Sequence, residues 1–363
     1  SGYDGTKGKA YLKMYEPKTK RVKQIYDESE HLPYCLTNLT PIEAEKRLFP
    51  IMSNIVRFES IRKFDAIKQE YIEMTKIVAK DPLTVGGKSE SIREMIPSWE
   101  SDIPYHINYL YDRSLIVGLP YRETSNGLQP VTLSMHEAME IAKRIKNLRP
   151  EEHEEAAYWI MLLEAQQPDP PYAALDIEVL SPVATRIPSA SKAEDKVVAV
   201  SICGSDGRRC VYLLQRDQGQ DNLRPLNFEL KLYDSEKKMI EDVFNVLSEY
   251  AVIATFNGDE FDLPYLYNRA NKLGIPREKN PIIISRDGAT FISGAHIDLY
   301  SFFLNKSVQV YAFDNKYREH TLEAIAQSLL GRGKVKLEKP ISELSDAELA
   351  EYSFGDAELV YSF

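Results

Sequence analysis

The sequence predicts an α/β (α+β) protein in which a β-rich N-terminal domain precedes a domain with a mixed central sheet. Two observations support this fold class. Near the N-terminus, "KAYLKMYEP" and "RVKQIYD" flank a lysine-rich turn, a pattern typical of a β-hairpin. After residue 172, short apolar stretches alternate with longer amphipathic ones, which favours a sheet covered by helices.

The N-terminal domain is expected to span residues 1–130. After the hairpin, "TPIE" predicts a helix start, because Thr40 can cap the helix, Pro41 fits its first position and Glu43 completes a capping box. Further along, "YIEMTKIVAKDP" predicts a strand, and "ESIREMI" and "IPYHINYLYDRSL" predict helices.

Residues 131–171 are expected to form a helical linker. Both "SMHEAMEIAKRIKNL" and "PEEHEEAAYWIMLLEA" have a helical pattern, and Pro150 favours the start of the second helix. The prolines of "QQPDPPY", residues 166–172, end that helix and mark the predicted domain boundary.

The second domain is expected to span residues 172–363, with a helix at 235–249, a further helix and a hairpin after it, and two final helices. Its predicted strands are 173–180, 196–203, 209–215, 251–256 and 295–299.

Charge and composition restrict the function. A formal net charge of -10 argues against a protein that holds nucleic acid by bulk electrostatics alone. The three cysteines fit neither a zinc finger nor a disulfide framework. No apolar run reaches the roughly 18 residues that a membrane span needs, so we expect a cytoplasmic protein.

Two carboxylates interrupt a predicted buried strand. In "AALDIEVL", Asp176 and Glu178 are two residues apart, so they project from the same face of the strand. Two like charges repel each other there unless a cation lies between them. The alternative is an exposed strand end.

A third carboxylate, Asp262, closes "NGDEFD" after the apolar strand "AVIATF". Ligand sites in open α/β sheets lie at the carboxyl ends of strands, where Asp262 falls. The alternative is that Asp262 only caps the following helix.

The fourth carboxylate lies in "EYSFGDAELVY", inside a helix that begins with the capping box "SDAE". Tyr352 and Asp356 are four residues apart and therefore share a helical face. A core tyrosine beside a solvated acid is the alternative.

Together, the four acids predict a site for two divalent cations, Mg²⁺ or Mn²⁺, which prefer oxygen ligands. Two such ions, about 3.5 to 4 Å apart, can hold a phosphodiester for hydrolysis. We find no nucleophile triad and no phosphate-binding loop that would favour another chemistry. The expected ligands are Asp176, Glu178, Asp262 and Asp356.

The sequence resembles the exonuclease region of archaeal-type family-B DNA polymerases. "DIE", "NGDEFD" and "YSFGD" match the three exonuclease motifs of that family in order. The similarity continues through "FDLPYLYNRANKLGI", "AHIDLYSFF", "TLEAIAQSLLG" and "SDIPYHINYLYDRSLIVGLPY" and covers essentially the whole chain.

The resemblance implies a ribonuclease-H-like domain that removes mismatched 3′-terminal nucleotides. It implies that Asp176, Glu178, Asp262 and Asp356 hold the metals, and that Tyr352 orients the attacking water. Asn257 and Phe261 would position the terminal nucleotide. We expect His296 and Asp298, in "HIDLY", to serve packing and local hydrogen bonds.

The palm motifs of the family do not occur, so we expect an N-terminal fragment that cannot itself synthesise DNA. The expected partners are single-stranded and primer–template DNA, the missing polymerase domains, and a sliding clamp bound through the absent C-terminus. Two alternatives remain open: a freestanding tyrosine-type exonuclease with four acids, and a DNA-binding module without catalysis.

The resemblance also implies two features of archaeal members. One is a hairpin that helps to separate primer from template, for which "IIISRDGATFIS", with Asp287 and Gly288 at its turn, is the candidate. The other is a pocket that captures template uracil in the N-terminal domain. Its candidate residues are Tyr3, Pro33, Tyr34, Pro82, Val85, Pro104 and Tyr105.

Overall fold

The computed structural model describes residues 1–125, 127–166, 169–181, 188–216, 226–285, 288–335 and 339–363. The chain divides into two compact units. The first comprises Ser1–Met14 with Gln24–Asp169, and the second comprises Tyr15–Lys23 with Pro170–Phe363. None of the helices in the described ranges is both long and apolar enough to cross a membrane.

The chain before residue 164 is rich in strands, as predicted. Strands β4, β6 and β5 form an antiparallel sheet in that order, and β7 pairs with β8 as an antiparallel hairpin. The elements are β1 (Gly2–Asp4), β2 (Lys9–Glu16), β3 (Arg21–Tyr26), β4 (Tyr34–Thr37), α1 (Pro41–Arg47), β5 (Ile55–Asp65), β6 (Glu70–Ala79), α2 (Pro82–Val85), α3 (Ile92–Met95), α4 (Tyr105–Asp112), β7 (Tyr121–Thr124), β8 (Gly127–Pro130), α5 (Met135–Ala142) and α6 (His153–Leu163).

The predicted helix starts are largely confirmed. The hydroxyl of Thr40 accepts from the N–H of Glu43, whose side chain accepts from the N–H of Thr40, so the capping box exists. Helix α5 ends at Ala142, earlier than its sequence pattern predicts, and the chain then turns through Asn147 at φ 75°. Pro150 begins a 3₁₀ turn that leads into α6.

The second unit contains the expected strands and helices. Strand β12 and helix α9 were not predicted. The elements are β9 (Tyr172–Leu180), β10 (Lys196–Gly204), β11 (Arg209–Leu214), β12 (Glu229–Tyr233), α7 (Glu236–Leu247), β13 (Val252–Thr255), α8 (Asp262–Lys272), β14 (Ile282–Ser285), β15 (Gly288–Phe291), β16 (Ala295–Asp298), α9 (Leu299–Leu304), α10 (Leu322–Leu330) and α11 (Asp346–Ser362).

Among the described residues of this unit, six strands form the central sheet, in the order β12-β11-β10-β9-β13-β16. The pairs β9–β10 and β10–β11 are antiparallel, whereas β11–β12, β9–β13 and β13–β16 are parallel. The sheet is therefore mixed, as predicted. Strands β9 and β13 are in register from Tyr172 opposite Val252 to Ala174 opposite Ala254.

Apolar side chains cover both faces of the sheet. On one face, Leu175 and Ile177 of β9 belong to a cluster with residues of α7 and α8. On the other, Ala174 belongs to a cluster with Leu349 and Phe354 of α11. This arrangement places α11 over the face on which the even-numbered residues of β9 lie.

The predicted hairpin is present as β14 paired with β15 in antiparallel register. Asp287, which was predicted at its turn, lies outside the described residues.

Candidate functional site

Strand β9 presents Asp176 and Glu178 to the face covered by α11. Both lie on the same side of the strand as Ala174, whereas Leu175 and Ile177 pack into the apolar cluster on the other side. Only 8% of Glu178 is exposed. An exposed strand end is therefore the wrong interpretation of this motif.

Helix α11 brings Asp356 to the two acids of β9. Its apolar residues pack on the sheet, and the hydroxyls of Ser353 and Ser201 in β10 form a buried hydrogen bond of 2.7 Å. Asp356 is 3% exposed. One carboxylate oxygen each of Asp176, Glu178 and Asp356 lies within 4.8 Å of the others.

Asp262 lies beside β9 at the first position of α8. Phe261 precedes it as the N-terminal cap residue, so Asp262 is not the cap. Its Oδ1 accepts a hydrogen bond of 3.2 Å from the N–H of Ile177, between the two acids of β9. The structure thus brings three of the predicted ligands into one cluster and places the fourth against the strand that carries two of them.

Burial and mutual repulsion make the carboxylates hard to ionise. Burial, followed by the charges of Asp356 and Glu178, raises the pKa of Asp176 well above its usual range. Burial and the charge of Asp356 raise the pKa of Glu178 to about 8. Burial raises the pKa of Asp262 to about 7. A positive charge at this site would relieve the repulsion.

Lys334 supplies one positive charge and was not predicted from the sequence. Its Nζ lies 2.7 Å from Oδ2 of Asp356. Burial opposes the charge on Lys334, but the neighbouring Asp356, Tyr352 and Asp176, of which Asp356 has the largest effect, together raise the pKa of the lysine. The pKa of Asp356 is still raised, because burial outweighs the influence of the lysine. One lysine therefore does not neutralise the cluster.

Tyr352 lies one helical turn before Asp356 and is near the same lysine. Nζ of Lys334 is 5.8 Å from the centre of its ring. Burial and the charges of Glu178 and Asp356 raise the pKa of Tyr352 to about 12. The phenol therefore keeps its proton at neutral pH and can donate a hydrogen bond.

Asn257 and Phe261 lie on the loop between β13 and α8. The N–H of Phe261 donates to the carbonyl of Asn257 at 3.1 Å. Asn257 has φ 66°, a left-handed conformation that asparagine tolerates better than most residues. The ring of Phe261 is 5.4 Å from that of Tyr265 and is partly buried.

The donor set fits divalent cations. In the described part of the chain, Oδ2 of Asp176 and Oδ1 of Asp356 are buried and have no hydrogen-bond partner. Buried carboxylate oxygens without partners are costly, and oxygen ligands of this kind suit Mg²⁺ and Mn²⁺.

The residues predicted for uracil capture lie in the first unit. The rings of Tyr3 and Tyr105 meet edge to face at 5.4 Å, and the rings of Tyr34 and Tyr105 both approach His31. Val85 packs in an apolar cluster of the same unit. Pro33 precedes β4, Pro82 begins α2, and Pro104 precedes α4.

Comparison with known proteins identifies the family. Residues 96–315 match the family model described as DNA polymerase family B, exonuclease domain. The chain belongs to the family-B DNA polymerases. The matched range contains Asp176, Glu178 and Asp262, and Tyr352 and Asp356 follow it.

Two archaeal family-B polymerases illustrate the similarity. DNA polymerase 1 of Aeropyrum pernix is 40% identical over 98% of this chain and 38% of its own length. DNA polymerase 1 of Saccharolobus solfataricus is 38% identical over 98% of this chain and 41% of its own. The chain thus spans about two fifths of the length of these curated relatives.

A solved structure supports the fold. The family-B DNA polymerase of Pyrobaculum calidifontis matches 97% of this chain and 44% of its own chain, with a TM-score of 0.57 and 18% sequence identity. The shared fold agrees with the predicted combination of a β-rich region and a mixed-sheet domain.

Proposed function

We propose that the chain is the proofreading region of a replicative family-B DNA polymerase. It removes nucleotides one at a time from the 3′ end of single-stranded DNA. Residues 172–363 form the exonuclease domain, residues 131–171 link it to the rest of the chain, and residues 1–130 bind template DNA. The cluster of Asp176, Glu178 and Asp356, with carboxylate oxygens within 4.8 Å of one another, is the observation that carries this proposal.

The acids would hold two divalent cations, with Asp262 completing the set. When bound, such cations stabilise charge on the attacking and leaving oxygens of a phosphodiester. Hydrolysis breaks the bond between phosphorus and the 3′ oxygen of the penultimate nucleotide and releases a nucleoside 5′-monophosphate.

The other side chains of the site would position the attacking water, Asp356 and the terminal nucleotide. Tyr352 keeps its proton at neutral pH, because its pKa is raised to about 12, and its hydroxyl can orient the attacking water. Lys334 holds Asp356 by an ion pair of 2.7 Å. Asn257 and Phe261 would contact the terminal nucleotide, the phenyl ring by stacking on base or sugar.

Degradation of single-stranded DNA tests this proposal. The double variant Asp176→Asn with Glu178→Gln removes two metal ligands with little change in shape. We expect at least about a 10³-fold loss of rate, because metal ions contribute several kcal/mol to such reactions. A 5′-labelled strand with Mg²⁺ should give a ladder of shortened products with the wild type, and none after addition of EDTA.

The matched control is Glu351→Gln, an exposed residue on the same helix as Asp356. It should degrade DNA at the wild-type rate. Equal degradation by the double variant would show that the active site is elsewhere. Binding of the strand without degradation by the wild type would favour the alternative of an inactive DNA-binding module.

Template-uracil capture remains a second proposal, for the first unit. The contact between Tyr3 and Tyr105, with Tyr34 nearby, supports it. Val85→Phe should reduce the preference for uracil-containing over thymine-containing single strands, because a larger side chain narrows the space for the base. The ratio of the two affinities is the measurement, since a folding defect would weaken both alike. Identical wild-type affinities would refute the proposal.

A further inference from the structure

Asp298, at the end of β16, accepts three backbone hydrogen bonds. Its Oδ1 accepts from the N–H of Asn257 at 2.8 Å and from the N–H of Tyr300 at 3.0 Å. Its Oδ2 accepts from the N–H of Asp259 at 3.2 Å. Only 9% of Asp298 is exposed, and these bonds offset the cost of burying its charge. Two of the three donors belong to the loop between β13 and α8.

That loop has little freedom to relax. Asn257 adopts φ 66°, and a Cβ on Gly258 would come within 2.1 Å of Oγ1 of Thr255. Asparagine tolerates the left-handed region better than most non-glycine residues, but this conformation still costs free energy that contacts with the surroundings must offset. The carboxylate of Asp298 provides this support at both ends of the tight turn.

The loop in turn begins the helix that carries Asp262. The carbonyl of Asn257 accepts from the N–H of Phe261, and the carbonyl of Gly258 accepts from the N–H of Leu263, both at 3.1 Å. These bonds form the turn that leads into α8, which begins at Asp262. A shift of the loop would therefore move Phe261 and Asp262 together.

Asp298 is unsuited to bind a metal itself. Both of its oxygens are engaged by backbone donors, and it is not one of the three acids whose oxygens cluster. It acts on the site through the backbone that it holds, and its charge also helps to raise the pKa of Asp262, after burial.

We propose that Asp298 is a positioning residue for the nuclease reaction, which fixes the loop Asn257–Asp259 and thereby keeps Asp262 against the strand that carries Asp176 and Glu178. This inference rests on the proposed exonuclease function. Asp298 also caps helix α9 by accepting a hydrogen bond from the N–H of Tyr300. The experiment must therefore distinguish the effect of this cap from the effect of holding the loop.

Three variants separate capping from positioning. Asp298→Ala removes every acceptor. Asp298→Ser keeps a good N-terminal cap for α9, but its short side chain cannot hold the loop. Asp298→Asn retains one carbonyl oxygen, which can still accept from Asn257. The matched control is Ser235→Ala, which removes the cap of α7, a hydrogen bond from Lys238.

Two measurements are made on the whole chain. The first is the rate of nucleotide release with saturating and limiting single-stranded DNA in Mg²⁺. We expect Asp298→Ala and Asp298→Ser to lower kcat about 10- to 100-fold, because a displacement of about 1 Å is enough for such a loss. Asp298→Asn should recover part of the rate, and Ser235→Ala should leave kcat unchanged.

The second measurement is hydrogen exchange of the amides of Asn257 and Asp259, followed by mass spectrometry without DNA. Both amides should exchange at least about tenfold faster in Asp298→Ser than in the wild type or Ser235→Ala, because they lose their acceptor. The inference would be overturned if Asp298→Ser had the kcat of the wild type. It would also be overturned if the two amides of Asp298→Ser exchanged no faster than those of the wild type, even with a lower kcat. If the wild type releases no nucleotides, the proposed function fails, and the exchange rates alone still decide whether Asp298 holds the loop.

Discussion

Lys334 places a positive charge beside the acidic cluster. Its ion pair with Asp356 is 2.7 Å long, and its charge also lowers the pKa of Asp176 and Glu178 in opposition to burial. The lysine thus keeps the acids closer to the ionised form that a metal requires.

Replacement of this lysine should shift the pH dependence of the proposed nuclease activity. In Lys334→Met the acids lose an opposite charge, their pKa values rise, and the acidic limb of the rate–pH profile should shift upward by about one unit. The measurement is the rate of nucleotide release between pH 5 and 9. Lys339→Met is the control, since this exposed lysine lies 3.7 Å from Glu348, and its limb should stay in place. The prediction would be contradicted if the acidic limb of the rate–pH profile lay at the same pH in Lys334→Met as in the wild type.

The acids could be predicted from the sequence, whereas the lysine could not. Residues two apart on a strand, or four apart on a helix, share a face whatever the rest of the fold does, so Asp176 with Glu178 and Tyr352 with Asp356 were grouped correctly. Lys334 lies in "GRGKVKLEKP", where several lysines follow one another without periodicity. Only the tertiary structure shows that Lys334 reaches Asp356. The structure also confirms the expected local hydrogen bonds of His296 and Asp298.

A buried ion pair joins helices α7 and α8. Nε and Nη2 of Arg269 in α8 each lie 2.7 Å from an oxygen of Glu236 in α7. Glu236 also accepts from the N–H of Val197 in β10, and Arg269 donates to the carbonyls of Ala193 and Glu194. The pair thereby fixes α8, which carries Asp262, against the sheet.

Loss of one partner of this buried pair should therefore lower the free energy of unfolding much more than loss of one partner of an exposed ion pair. Glu236→Gln leaves the guanidinium buried and without its counter-charge, so we expect a loss of about 3 to 5 kcal/mol in the free energy of unfolding. Glu241→Gln is the control, because Glu241 pairs at 3.2 Å with the exposed Lys279, and it should cost less than about 1 kcal/mol. Urea denaturation measures both, and equal losses would contradict the prediction.

Helices and strands with strong periodicity were predicted well, and short edge elements were not. The alternation in "AALDIEVL" and the capping box at Ser345 mark β9 and α11 clearly. Strand β12 has five residues and, within the described ranges, lies at the edge of the sheet beside β11, and such an edge strand has a weak sequence signal. Strand order and the parallel pairing of β13 with β9 depend on contacts between distant segments, which no local pattern encodes.

The stability of the whole molecule should depend on pH through the acidic cluster. In the folded chain without metal, the pKa of Glu178 is about 8 and that of Asp262 about 7, whereas in the unfolded chain both have ordinary carboxyl values. Between these limits the folded chain binds more protons than the unfolded chain, so the free energy of unfolding falls as the pH rises.

We expect the free energy of unfolding to decrease by on the order of 1 to 3 kcal/mol between pH 5 and 8 in EDTA. Mg²⁺ should restore most of it at pH 8, because it binds only the folded site. Urea denaturation at each pH is the measurement. The double variant Asp176→Asn with Glu178→Gln should have a flatter pH dependence and a smaller response to Mg²⁺. Identical curves for the two proteins would contradict the prediction.

The hydrogen bond from Ile177 to Asp262 determines which substitution is suitable for a variant that lacks the proposed nuclease activity. The pairing of β9 with β13 ends at Ala174. Further along β9, the N–H of Ile177 donates to the side chain of Asp262 instead of to a neighbouring strand. Asp262→Ala would leave a buried peptide donor unsatisfied and weaken the scaffold along with the chemistry. Asp262→Asn keeps an oxygen in place, and Glu178→Gln leaves this donor untouched, so the isosteric exchanges are the better route to an inert but intact protein.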